Sequence, residues 1–329
     1  MKLPLILLVY LSVLRAGAQT GQTASSLELV QTIPLPGVAG RIDHFGLDVK
    51  GQRLFVAALG NDTLEVLDLK AGKRIRSVPG CSEPQGVVYV PGNNRIFVAN
   101  GRAGTVSVLD ATSFKRLKSL GGMEDADDVR YDARAGLVYA AYDNGALAVI
   151  RAGTAERLAD IQLDAHPEAF ELEKHGGRVF INVPNAREIE VADRQRGKVI
   201  AKWPMLELRA NFPMALDDPD HRLFVGCRQP ARLVVLDTAT GKRLTDLPLS
   251  GDCDDLFYDA TRRKIYASCG EGFVDVFSQA GANHYQRMAR VPTARGARTS
   301  LYSPELNEYF VAVPRRWDQK AEVRIYKTL

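Results

Sequence analysis

Residues Arg95-Ile96-Phe97-Val98-Ala99-Asn100, followed by Gly104-Thr105-Val106-Ser107-Val108-Leu109-Asp110, hold the pattern that decides the fold. A basic residue opens an aliphatic, aromatic, aliphatic line, and a second β-branched run closes on Asp. The line recurs as Arg53-Leu54-Phe55-Val56, Leu137-Val138-Tyr139-Ala140, Arg178-Val179-Phe180-Ile181, Arg222-Leu223-Phe224-Val225, Lys264-Ile265-Tyr266-Ala267 and Glu308-Tyr309-Phe310-Val311. Its aromatics, at positions 55, 97, 139, 180, 224, 266 and 310, are spaced 42, 42, 41, 44, 42 and 44 residues apart. Near-constant periods of this size mark a radial repeat architecture, not a pair of domains.

Around each line the pattern alternates with period two, the mark of strands with distinct faces. A strand precedes the aromatic, as in Gly86-Val87-Val88-Tyr89-Val90, and another follows the Asp, as in Lys242-Arg243-Leu244. In four repeats the second run ends in Asp68, Asp110, Asp193 or Asp237, and in three of them a Gly-Lys pair follows, the chemistry of a tight turn. Four short antiparallel strands per repeat predict an all-β, seven-bladed β-propeller. The chain ends at Leu329, too soon after Val323-Arg324-Ile325-Tyr326 for a fourth strand in the last blade. Residues 27–35, Leu27-Glu28-Leu29-Val30-Gln31-Thr32-Ile33 and onward, are therefore expected to complete blade seven and close the ring, which removes an exposed sheet edge.

The composition, 46% apolar, 25% charged and 8% aromatic, is that of a globular chain and excludes disorder. Met1-Lys2, the apolar run from Leu3 to Leu14 and the small triplet Ala16-Gly17-Ala18 make residues 1–18 a signal peptide by pattern. That leaves 19–329 as one propeller domain, monomeric, periplasmic or secreted, with no membrane span. The net charge of +4 is small and its charges are interspersed, which gives no footing for nucleic-acid binding.

Ile96-Phe97-Val98-Ala99-Asn100 with Gly104-Thr105-Val106-Ser107-Val108-Leu109-Asp110 resembles the repeat of the YVTN β-propeller family, and Leu54-Phe55-Val56-Ala57-Ala58 with residues 61–68 is a looser copy. The third, sixth and seventh repeats depart from it, with Arg151, Ser278 and Lys327 where Asp is expected. The resemblance implies an exported propeller serving as a binding scaffold, and it carries no shared catalytic residues.

In a propeller the loops leading into the innermost strands form one rim of the central channel. Those loops supply Arg41, Asp43 and His44; Glu83 and Gln85; Asp125, Asp127 and Asp128; His166 and Glu168; Arg209 and Asn211; Asp252, Asp254 and Asp255; Arg295 and Arg298. Convergent polar groups at one concavity are the expected site for a partner protein or small ligand. The same side chains in isolation would serve as turn caps. Glu168, Asn211 and Asp254 have the donors for a divalent metal, and propeller lactonases hold a metal in the channel with similar Glu, Asn and Asp side chains, so a metal-dependent hydrolase or lyase is the alternative expectation. No G-x-S-x-G, H-E-x-x-H or P-loop pattern occurs. Cys253 and Cys269 fall opposite one another if Tyr258 pairs with Lys264, which predicts a disulfide between them; Cys227 is the competing partner.

Overall fold

The computed structural model describes residues 26–142 and 145–329, so the signal-peptide pattern lies outside the described residues. These residues form seven four-stranded antiparallel sheets. Blades 1 to 6 occupy residues 45–79, 84–120, 129–162, 170–204, 209–248 and 253–292, each with its strands in sequence order. Blade 7 combines residues 300–328 with the N-terminal strand Leu27–Pro34 on its outer edge. There Leu27 lies opposite Thr328 and Pro34 opposite Glu322, the closure expected from the missing strand. Helical structure among the described residues is limited to two 3-10 turns, Leu59–Asn61 and Pro91–Asn93, and no helix is long and apolar enough to cross a membrane.

Hydrophobic burial divides into seven clusters, each filling the space between two neighbouring blades. Arg53–Ala58 shows why. Leu54 and Val56 pack toward blade 7, whereas Phe55 and Ala57 pack toward blade 2. A strand buried on both faces has no polar alternation to keep, and so the second strand of each blade is mainly apolar, with Asn100, Asn182 and Ser268 as buried polar exceptions. The seven recurring aromatics are all buried in these interfaces. Outer strands such as Lys73–Pro79 are largely exposed. The Asp turns behave as their chemistry requires: the Asp110 carboxylate accepts the N–H groups of Thr112 and Ser113, and Asp237 those of Ala239 and Thr240.

The basic residue that opens the repeated line fastens one blade to the next. Arg53 donates to the carbonyl of Ala111, Arg95 to Gly153 at 2.6 Å, Arg178 to Thr238, Arg222 to Ala282 at 3.3 Å and Lys264 to Leu329. Blade 3 has Leu137 at this position. There the fastening is reversed, with Arg194 of blade 4 reaching back to Asp132, and a cavity of about 580 Å³ opens between blades 3 and 4, lined by Leu137, Tyr139, Glu173 and His175 among others.

The register behind the expected disulfide needs correcting. Cys253 and Cys269 do lie opposite one another, but by a different register: Tyr258 pairs with Ile265, Asp259 with Lys264, and a bulge between Cys253 and Asp255 restores the alignment. Both are buried thiols, Cys253 directed at the carbonyl of Asp255 at 3.7 Å and Cys269 at that of Ala267 at 3.6 Å. Cys227 belongs to the cluster between blades 4 and 5, away from both.

Candidate functional site at the channel mouth

The repeated architecture delivers one polar residue per blade to the head of the inner strand: Asp43, Gln85, Asp127, Glu168, Asn211, Asp254 and Arg298. Main-chain bonds to the second strand set three of them at one level. The N–H of Asp43 donates to Ala57, that of Asp127 to Ala141 and that of Glu168 to Asn182, at 2.7, 2.9 and 3.0 Å. Glu83, Asp125 and Asp252, two residues ahead of Gln85, Asp127 and Asp254, take positive φ, so the loop turns sharply just before its functional residue. Gly86 permits the approach of blade 3: a Cβ there would stand 2.2 Å from the carbonyl oxygen of Asp127, which instead accepts the Gly86 N–H at 3.1 Å.

Three groupings arise from the predicted set. In the first, His44 lies 3.4 Å from Asp255 and 3.8 Å from Asp43, which also receives Arg41 at 2.8 Å. Burial alone would pull the imidazole down, but Asp255, Asp43 and Asp128 outweigh it and hold His44 well above the ordinary histidine range. Asp255 is itself pushed up by burial, against the pull of His44 and of the Ser300 N–H it accepts at 2.6 Å.

The second grouping is a knot of opposite charges. Arg298 contacts Asp252 and Asp254, each at 2.8 Å, and Arg228 contacts Asp254 and, at 3.5 Å, Asp252. The Arg228 guanidinium also lies 3.9 Å from the centre of the Phe212 ring. Arg228 was absent from the sequence-derived set because it enters from the end of a second strand, not from a loop leading into an inner one. Arg130, which pairs with Asp128 at 3.1 Å, escaped notice as an inner-strand residue below the rim.

In the third, Asp127, His166 and Glu168 each offer a ligand atom, all within 4.8 Å of one another. Burial, followed by the charge of Asp127, pushes Glu168 up to about 8. Burial likewise raises Asp127, although its contact with His166 opposes the rise. His166 is raised too, because Asp127 and Glu168 overcome the effect of burial.

The metal set expected from sequence, Glu168, Asn211 and Asp254, is not assembled as a ligand shell. Asp254 is neutralised by two guanidinium groups, whereas Asn211 spends only its amide nitrogen, on Asn182 Oδ1 at 2.9 Å and the Glu188 carbonyl at 3.1 Å, and its Oδ1, the atom a metal would take, is buried with no hydrogen-bond partner among the described residues. Glu168 alone of the three joins the donor cluster. Gln85 bonds Asp125 at 3.1 Å and the Ala126 carbonyl at 3.3 Å, a loop-holding role. Arg209 is exposed.

No protein-family model matches this sequence, and no curated protein matches it. Among solved structures, the chain is similar to one in the crystal structure of the mitotic checkpoint complex, with a TM-score of 0.77 at 12% identity over 98% of both chains. It is also similar to one in Kuenenia stuttgartiensis hydrazine synthase, with a TM-score of 0.74 at 17% identity over 84% of this chain and 95% of the other. Likeness at these identities is likeness of fold: the chain is a seven-bladed β-propeller.

Proposed function

We propose that this chain is an exported binding propeller that holds a partner protein on the channel-mouth face, against the arc where blade 7 meets blade 1. The observation that carries the reading is Trp317, 99% exposed on the loop between residues 314 and 321. A tryptophan left in water costs solvation and is the residue type that most often anchors an interface. Around it stand Arg295, Arg315 and Arg316, all exposed and all without an acidic partner among the described residues. The loop is anchored to the rim: Gln319 donates to the carbonyls of Arg295 at 3.2 Å and Pro314 at 2.6 Å. Arg315 and Arg316 line one small cavity with Arg41 and Arg298, so this basic arc is continuous with the channel mouth. Its complement is an acidic segment of another protein. A propeller of the same shape belongs to a protein assembly in the mitotic checkpoint complex, which fits this use of the fold. Export rests on the pattern of residues 1–18 and on the resemblance to exported propellers.

A photo-crosslinking amino acid at position 317, introduced in the native host, tests the reading. The expected result is one dominant protein adduct, lost when Arg315→Glu and Arg316→Glu are combined. A folded protein that yields no adduct, or an adduct indifferent to the charge reversal, would sink it.

The alternative reading as a metal-dependent hydrolase or lyase rests on a different observation, the donor cluster Asp127, His166 and Glu168.

A further inference from the structure

We propose that Asp127, His166 and Glu168 form a binding site for a divalent transition-metal ion, of the Zn²⁺, Mn²⁺ or Co²⁺ class, inside the channel mouth. This site is independent of the rim that takes the partner. Three observations converge on it.

The donor set is mixed and drawn from two blades. Asp127 comes from the loop leading into blade 3, His166 and Glu168 from the loop leading into blade 4. Their ligand atoms lie within 4.8 Å of one another. Two atoms bound to one ion at about 2.0–2.2 Å are at most about 4.4 Å apart, so the ion needs only a small inward movement of side chains. One imidazole with two carboxylates suits a transition metal better than Ca²⁺, which takes a larger shell of oxygens. Three protein ligands leave a position open to water or a ligand.

The backbone beneath the donors is already fixed. Asp127 and Glu168 each give their N–H to the neighbouring strand, and the Asp127 carbonyl is held by Gly86. Binding therefore orders little main chain.

Partnership separates these carboxylates from the rest of the mouth. Asp43 has Arg41, Asp125 has Gln85, Asp128 has Arg130, Asp252 has Arg298, Asp254 has Arg228 and Arg298, and Asp255 has His44 and the Ser300 N–H. Among the described residues, no hydrogen bond or ion pair reaches the Glu168 carboxylate, which feels Arg228 only at longer range, and Asp127 has His166 at 3.8 Å with His44 further off. Half-buried carboxylates in a mouth where the others are neutralised call for a cation. A second cluster, Asp164, Glu188 and Glu190, lacks this property because Lys202 lies within 3.8 Å of Glu188 and also contacts Asp164.

The test uses the full mature chain, purified without a metal-affinity step and stripped with a chelator. Zn²⁺ is titrated by calorimetry, and Co²⁺ by its visible absorption, which reports coordination directly. One equivalent is expected, weakened by at least about tenfold in Glu168→Gln and in His166→Ala, with circular dichroism confirming that each variant is folded. Glu190→Gln should bind as the parent does. The proposal is overturned if folded parent protein shows no saturable binding, if both site variants bind unchanged, or if Glu190→Gln alone weakens binding. Crosslinking at position 317 is unaffected by any of these results, so this site and the partner surface stand or fall separately.

Discussion

At the scale of single residues, His44 shows how much a neighbourhood can alter a side chain. Three carboxylates surround an imidazole that burial alone would leave neutral, and the attraction wins. A folded-state value raised above 6.5 means that the native protein holds the proton more tightly than the unfolded chain. The stabilisation is therefore fully present below pH 6.5 and is lost as pH rises through the raised value. Burial-raised carboxyls at Asp127, Asp255 and Glu168 act in the same direction, because the unfolded chain releases its protons first. The melting temperature is expected to fall as pH goes from about 6 to about 9, and His44→Gln should flatten that slope while costing about 1.5–3 kcal/mol at the acid end, the worth of a charged hydrogen bond. A profile that rises with pH, or one that His44→Gln leaves unchanged, contradicts the assignment. The residues of this mouth were legible in the sequence because equivalent loops lead to equivalent places. Their groupings were not, since which carboxylate meets Arg298 and which meets nothing depends on side-chain reach across blades.

Among the elements, the second strand of each blade is the one that works between blades. Its leading basic residue was visible as part of the repeated line, but its task was not, because the acceptor is a carbonyl some sixty residues further along the chain, as with Arg178 and Thr238. Two of these arginines differ in an instructive way. Arg95 donates to carbonyls alone, at 2.6 Å for Gly153 and 3.3 Å for Ala152. Arg178 also neutralises Glu173, a buried carboxylate, through its Nε at 2.9 Å. Removing Arg95 leaves carbonyls that water can reach, for a loss of about 1–2 kcal/mol. Removing Arg178 strands a buried charge, for about 3 kcal/mol, the low end for a broken buried pair. Chemical denaturation of Arg95→Ala and Arg178→Ala should rank them in that order, and equal losses would show that the carboxylate contributes nothing. The bulge at Cys253 to Asp255 shows the opposite limit of sequence reading: one inserted residue, with no compositional signature, shifted the register of a whole strand pair while leaving the two cysteines aligned.

For the molecule as a whole, the burial is shared among seven interfaces, so no blade holds a core of its own. Stability then depends on closure. The spacing of seven aromatics and a last repeat one strand short were enough to predict the ring and its latch, because both follow from counting. Deleting residues 27–34 should strip the outer strand from blade 7 and lower the melting temperature by about 10 °C or more, since a loss of several kcal/mol shifts a chain of this size by a few degrees for each. An unchanged transition would mean that blade 7 is stable with three strands.

The strand that seals blade 7 is the first part of the propeller to leave the ribosome, and its mate, Glu322–Thr328, is the last. No shortened product can pair the two. A propeller without residues 322–328 keeps a raw edge at both ends, open to proteases and chaperones, whereas one that carries them hides both at once. The latch thus ties the first and last strands of the propeller together, and concealment of both edges is a single event.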